Sequence, residues 1–146
     1  MKLLNYALML LFTLGMLSCG GGGDDPDETD PTVTFNSPSP NSASPTAVTA
    51  GQNLSFNISL KDNDKLQSII FNAPVTKSVN DFLSDFEAKL TNAVTSSASI
   101  VGKSEATVAF PVEVLAGAPP GVYTVTCVVK DVSDNSTTAT AYFEVE

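Results

Sequence analysis

From Thr32 onward, apolar and polar residues alternate in short runs separated by turn-forming residues. That period of two is the signature of half-buried β-strands. Val33 and Phe35 alternate with Thr32 and Thr34. After a Ser/Pro/Asn-rich stretch over 37–45, Leu54, Phe56, Ile58 and Leu60 fall on one face of the clearest strand in the chain. Residues 66–71 are more uniformly apolar and predict a central strand, because a strand covered on both faces loses its polar positions. Ala106, Val108, Phe110, Val112 and Val114 form another inward set, and Pro111 assigns that strand to a sheet edge, since proline cannot donate to a ladder. Tyr123, Val125, Cys127 and Val129 follow, then Ala139, Ala141, Phe143 and Val145. Six or seven strands in this rhythm predict an all-β domain over 32–146: an antiparallel immunoglobulin-like β-sandwich of about seven strands.

One segment has a different period. Phe82, Phe86, Leu90 and Val94 lie four apart, with Leu83 and Ala93 beside them, which is a helical stripe. Asn80 can cap the first turn and Asp81 suits its positive end. The pattern predicts a helix of three to four turns from Asn80 to Ser96, inserted between the third strand and the next. Its stripe can cover a sheet edge or an open end of the core. Alternatively, Phe82, Phe86 and Leu90 form an apolar face offered to a protein partner.

The chain begins with a different kind of segment. Lys2 supplies a positive start, and 6–17 is almost entirely apolar but shorter than the roughly 20 residues needed to span a bilayer. Met16, Leu17, Ser18 and Cys19 then resemble the cleavage site of a bacterial lipoprotein signal peptide. On this reading 1–18 is removed and Cys19 carries covalent lipid, palmitate included, on its thiol and new amine. A single acyl chain binds membranes marginally, whereas two or three anchor stably. Residues 19–31 follow as a tether of four glycines and a run of acids, which stays extended and solvated. The run resembles the acidic export signal that sends some Gram-negative lipoproteins to the outer face of the outer membrane.

Charge and missing residue types narrow the chemistry. The chain has seven lysines, no arginine and sixteen acids. Loss of Lys2 with the leader leaves six lysines against sixteen acids, a net charge of −10. Such a surface repels nucleic acid, which is bound through cationic contacts to phosphate. With no histidine, histidine-based triads and the common zinc and iron sites are excluded. Without arginine there is no bidentate clamp for phosphate or carboxylate. Without tryptophan, the preferred stacking platform for cations and sugars is absent. Cys127 is the one thiol left once Cys19 is acylated, and on an inward strand face it reads as a small hydrophobe. Tyr123 reads as a core tyrosine whose hydroxyl reaches backbone at the rim.

Two acidic turns carry the remaining chemistry. Lys61-Asp62-Asn63-Asp64-Lys65 joins the second and third strands, and Asp131-Val132-Ser133-Asp134-Asn135 joins the last two. In an immunoglobulin sandwich both lie at one end, together with the start of the chain. Asp30, Asp62, Asp64, Asp131, Asp134 and Asn135 can then converge on one calcium ion, which takes six to eight oxygen ligands. Turn chemistry is the competing account, since Asp and Asn cap backbone groups in tight connections without any metal, and Lys61 and Lys65 oppose a cation. The acids fall in turns and on the helix, with no apolar setting to raise a pKa as acid–base catalysis needs, so the reading is non-enzymatic.

The residues also carry a resemblance. Ala50-Gly51-Gln52-Asn53-Leu54-Ser55-Phe56, Asp62-Asn63-Asp64-Lys65-Leu66, Pro120-Gly121-Val122-Tyr123-Thr124-Val125, Asp131 and Asp134-Asn135 look like the recurrent framework of bacterial extracellular immunoglobulin-like modules. With the leader, the chain is similar to a family of small Gram-negative surface lipoproteins whose domain has no assigned function. The resemblance covers about 32–71 and 104–145 but not the helical middle. It implies a binding or accessory role at the cell surface, beside a nutrient-uptake system, with a surface protein as partner. The alternative is a structural or adhesion module, stabilised by calcium.

Overall fold

Alternation along the strands sorts the chain into two sheets that bury one face each. The computed structural model describes residues 26–73, 80–96 and 99–146, with side chains for all of these except 80–84, 95 and 96. In chain order the elements are β1 (Thr32–Ser37), β2 (Thr46–Val48), β3 (Asn53–Lys61), β4 (Leu66–Asn72), α1 (Asn80–Ser96), β5 (Glu105–Glu113), β6 (Gly121–Asp131) and β7 (Ser136–Val145). One sheet has the order β1-β3-β5 and the other β2-β7-β6-β4. This is the strand arrangement of an immunoglobulin-type sandwich. One pairing departs from the antiparallel expectation. The chain crosses between sheets after β1, and β2 joins β7 in parallel, with Thr46 opposite Phe143.

The inward stripes meet as the pleat requires. On β3, Leu54, Phe56, Ile58 and Leu60 are buried while the residues between them are exposed. On β6, Tyr123, Val125, Cys127 and Val129 face them from the other sheet. Phe56 and Phe110 are paired across β3 and β5. Their rings stack at 5.1 Å, and Phe71 presents an edge to both, at 6.0 and 5.7 Å. Offset stacks and edge contacts are the arrangements that aromatic quadrupoles favour. Tyr123 lies over Phe143 at 5.3 Å, and its hydroxyl donates to the Pro119 carbonyl at 2.7 Å, which satisfies the polar end of a buried ring.

The expectation of a central strand over 66–71 is corrected: β4 is the outer strand of its sheet. The register with β6 shifts between Leu66 and Ser68, so the inward parity changes along the strand. Leu66 points inward before the shift and Phe71 after it, with Ile69 half-buried between. A run that serves the core from both parities reads as uniformly apolar without being covered twice. Ile70 is accordingly 56% exposed. Pro111 lies on an outer strand, β5, as its missing donor demands.

Helix α1 packs on β5 and β4, the two neighbouring strand edges of opposite sheets. It therefore closes the side of the sandwich between them. Phe86 and Leu90 are fully buried, and the Phe86 ring lies 5.2 Å from Phe143. Lys89 on the outer side bridges to Glu113 of β5 at 3.1 Å and to Asp85 at 3.7 Å. The partner-facing alternative for Phe82, Phe86 and Leu90 is thus corrected for two of the three. Phe86 and Leu90 are core residues, because the open side of the sandwich offers them more apolar contact than solvent does. The side chain of Phe82 lies outside the described residues.

Two measurements test this packing. Phe86→Ala should destabilise the domain by about 3 to 5 kcal/mol, as for other buried phenylalanines, read from the shift in urea midpoint; a loss below about 1 kcal/mol would place the helix off the core. Burial also pushes the Cys127 thiol up to about 12 from its ordinary 9.0. The unfolded chain therefore gives up this proton first, so the thiol's contribution to stability is intact below pH 9.0 and is lost as pH rises toward about 12. In a Cys19→Ala chain, iodoacetamide at pH 8 should label Cys127 only as fast as the domain unfolds. Rapid labelling under native conditions would contradict its burial.

Candidate functional site

The apolar stripes of the two sheets each end in an aspartate. On β3 the inward series Leu54, Phe56, Ile58, Leu60 continues at the next position of the same parity with Asp62. On β6 the series Tyr123, Val125, Cys127, Val129 continues with Asp131. Asp62 is 5% exposed and Asp131 is fully buried. Period-two geometry thus carries a carboxylate from each sheet to the same end of the core. The two turns that follow are joined there, since the Val132 N–H donates to the Lys65 carbonyl at 2.9 Å.

A third carboxylate comes from the segment before β1. Asp27 is half-buried, and one oxygen from each of Asp27, Asp62 and Asp131 lies within 4.8 Å of the others. Asn63 donates its amide to Asp27 Oδ1 at 2.9 Å, and the Thr29 N–H donates to the same oxygen at 3.0 Å. These two donors, the Asn63 amide first, hold the Asp27 carboxyl below the usual carboxylate range. Asn135 links the segment to the last turn: its Nδ2 is 2.9 Å from the Asp27 carbonyl and 2.7 Å from Asp131 Oδ2.

The three carboxylates differ in how well they are satisfied. Asp131 Oδ1 accepts from the N–H groups of Ser133 and Asn135, both at 2.8 Å, and Oδ2 accepts from the Asn135 amide. That is a complete turn-capping set. Among the described residues, Asp62 Oδ2 accepts only from the Asp64 N–H, at 2.9 Å. Asp62 Oδ1 and Asp27 Oδ2 are buried without a hydrogen-bond partner among the described residues. Buried carboxylate oxygens are ordinarily bonded, so these two stand out. No ion pair among the described residues reaches any of the three carboxylates. Lys61, which flanks the first turn in sequence, points to the outer sheet face and pairs with Glu105 at 2.8 Å. Its opposition to a cation is thereby removed. Lys65 is exposed.

Of the six residues expected to converge, the structure brings together Asp62, Asp131 and Asn135. Asp30 is exposed and directly precedes the buried Pro31. Asp64 is exposed and contributes its N–H to capping Asp62. Asp134 occupies a left-handed turn position, φ 69°, and bonds Lys130 at 3.3 Å. Asp27 was missed by sequence reasoning, which treated it as tether. No sequence periodicity signals its fold-back, because 26–31 is not a strand. The earlier view that the acids have no apolar setting is also corrected for Asp62 and Asp131, which close the core. Cys19 lies outside the described residues.

A second surface feature is an open groove of about 500 Å³ on the outer face of the β1-β3-β5 sheet, lined by Thr32, Thr34, Ser59, Lys61, Glu105 and Thr107 among others. Its walls combine hydroxyl groups and one exposed ion pair with the apolar residues Leu60 and Ala106.

No known protein family matches the chain, and no curated protein does. Among solved structures the chain is similar to the GspB Siglec domain, with a TM-score of 0.52 and 13% identity over 82% of this chain and 59% of that one. The chain therefore spans less than two thirds of that structure. At this identity the likeness shows the fold alone, an immunoglobulin-like all-β sandwich. A Niemann-Pick type C2 protein from the Japanese carpenter ant matches over 81% of this chain and 90% of that one, at 8% identity and a TM-score of 0.43. That score is too low to carry an argument.

The unequal satisfaction of the carboxylates gives a testable contrast. In calcium-free buffer with chelator, Asp131→Ala should destabilise by roughly 2 to 4 kcal/mol, because three donors lose a charged, buried acceptor. Asp62→Ala should change stability by less than about 1 kcal/mol, since it gives up one bond and relieves repulsion among like charges. Equal losses in chemical denaturation would refute the distinction.

Proposed function

We propose that the protein is a membrane-anchored, non-catalytic binding or accessory module, held by lipid on Cys19 at the outer face of the outer membrane, with a surface protein as its partner. The observation that carries this reading is the arrangement of the N-terminal segment. Asp27 is already docked on the sandwich through Asn63 and Asn135, only eight residues after the cysteine of the lipoprotein-like motif. An extended chain spans at most about 3.3–3.6 Å per residue, so eight residues reach on the order of 30 Å. Anchored there, the acidic end faces the membrane, while both sheet faces and the opposite end of the sandwich are free to meet a partner.

The chemistry supports a non-catalytic role. The sequence has no histidine. The thiol of Cys127 is buried and held almost wholly protonated at neutral pH, and the thiolate is the nucleophilic form. No helix among the described residues is long and apolar enough to cross a membrane. The framework residues that resemble surface immunoglobulin-like modules support a binding role over a purely structural one. The open groove on the β1-β3-β5 face adds a second surface for it.

Labelled palmitate should enter the wild-type protein, and Cys19→Ala should block both labelling and maturation; an unlabelled wild type would end the anchoring argument. Replacing Asp24, Asp25, Glu28 and Asp30 by alanine, with Asp27 kept, should leave the protein lipidated but protected from protease added to intact cells. Digestion as rapid as for the wild type would reduce the acidic run to a spacer.

A further inference from the structure

We propose that Asp27, Asp62 and Asp131 form a calcium site that fastens the segment before β1 to the two turns at its end of the sandwich. Three observations combine. One oxygen from each carboxylate lies within 4.8 Å of the others. Calcium binds oxygen at 2.3–2.6 Å, so two ligands on opposite sides of one ion are at most about 4.6–5.2 Å apart. The three oxygens thus lie within the span of one calcium shell. Magnesium is usually held by one or two carboxylates and keeps several waters, so a set of three protein carboxylates favours calcium.

The second observation is the pair of unsatisfied oxygens. Asp62 is 5% exposed, and its carboxylate carries a buried oxygen without a hydrogen-bond partner among the described residues. Asp27 Oδ2 is buried in the same condition. Both belong to carboxylates that face one another and Asp131. No described lysine is paired with them. A hard cation satisfies both oxygens and cancels the repulsion among the three charges. The ligand atoms are all oxygen, which selects calcium over metals that prefer nitrogen or sulfur.

The third is where the ligands come from. Asp62 and Asp131 sit on rigid strand ends, one in each sheet, whereas Asp27 belongs to no strand. An ion shared by all three joins two sheets and ties the incoming chain to both. Three carboxylates leave the rest of the six-to-eight-fold shell to backbone carbonyls and water. That composition corresponds to affinities of about 10⁻⁴–10⁻³ M, the range of extracellular calcium modules. The site stands apart from the anchoring reading, because Cys19 takes no part in it.

The test is a calcium titration of the full chain, purified in detergent and washed with chelator, followed by calorimetry, thermal unfolding and amide exchange. Expected are a dissociation constant of about 10⁻⁴–10⁻³ M, a Tm raised by roughly 4–8 °C at 10 mM calcium, and slower exchange at Thr29, whose N–H bonds Asp27. Magnesium should bind at least tenfold more weakly. Asp27→Ala, which leaves every strand intact, and Asp62→Ala should each weaken calcium binding at least tenfold. Asp131→Ala is left aside because its turn depends on the side chain. A wild-type Tm unmoved by 10 mM calcium would overturn the site. Unchanged calcium affinity in Asp27→Ala would overturn the clamp, and magnesium binding of equal strength would overturn the assignment to calcium. The same titration on Cys19→Ala should give the wild-type result, whatever becomes of its lipidation.

Discussion

The domain depends on two stripes packed face to face. Leu54, Phe56, Ile58 and Leu60 on β3 meet Tyr123, Val125, Cys127 and Val129 on β6, and nearly all of these are sealed from water. A one-residue slip in either strand would turn its whole stripe to solvent, so the register of both sheets follows from this contact. The constraint reaches beyond the apolar residues. Asp62 and Asp131 occupy the next inward position of each stripe, and strand geometry delivers them to the rim of the core whether or not burial suits them. Their hydrogen bonds are the response. Asp131 is enclosed by its own turn, whereas Asp62 is left with a single backbone donor.

The stripes leave one side of the sandwich open, between the edges of β5 and β4. A constant-type immunoglobulin domain continues the β5 sheet with a fourth strand from the chain between β4 and β5. Here that connection contains α1. A helix presents a stripe at a period of 3.6 rather than a ladder of hydrogen bonds, so it covers the gap with Phe86 and Leu90 without pairing to either edge. Covering an edge also removes a site for unwanted strand addition. On β5, Pro111 limits the ladder in the same direction.

How much of this could be read in advance divides along physical lines. Strand positions, the helix and the inward residues follow from periodicity, and periodicity is local. Phe86 beside Phe143 needed only the knowledge that a stripe must find a core. The outer position of β4 was not legible, because its register shift lets both parities serve the core and imitates a doubly covered strand. The parallel pairing of β2 rests on three residues that directly follow the Ser/Pro/Asn-rich stretch, too few to show a period. At the candidate site, Asp62 and Asp131 were legible as members of the two acidic turns, but their burial as extensions of the stripes was not read. Asp30 was counted among the ligands from its place at the start of the domain, and the structure leaves it exposed. Asp27 was not legible, because a fold-back held by Asn63 and Asn135 connects residues 36 and 108 positions apart and leaves no local pattern.

The placement of Asp27 has a mechanical consequence on the lipoprotein reading. A tether of glycines and acids is a loose spring, and a domain on such a spring samples many orientations at the membrane. Docking at Asp27 removes the last part of the spring, so the joint between tether and domain lies at the rim of the sandwich rather than several residues away. The mature chain is strongly acidic, and an anionic surface would push its acidic end outward. The Coulomb force from the surface is screened within about 8 Å at physiological ionic strength, whereas the covalent tether is not. Repulsion therefore sets the distance of the domain from the headgroups only at close approach, and chain length sets it beyond. A cation at the rim would lower the local charge where screening is weakest, which favours close approach. On that reading, the two carboxylates that close the core and the Asp27 docked beside them would share in setting how the domain stands on the surface.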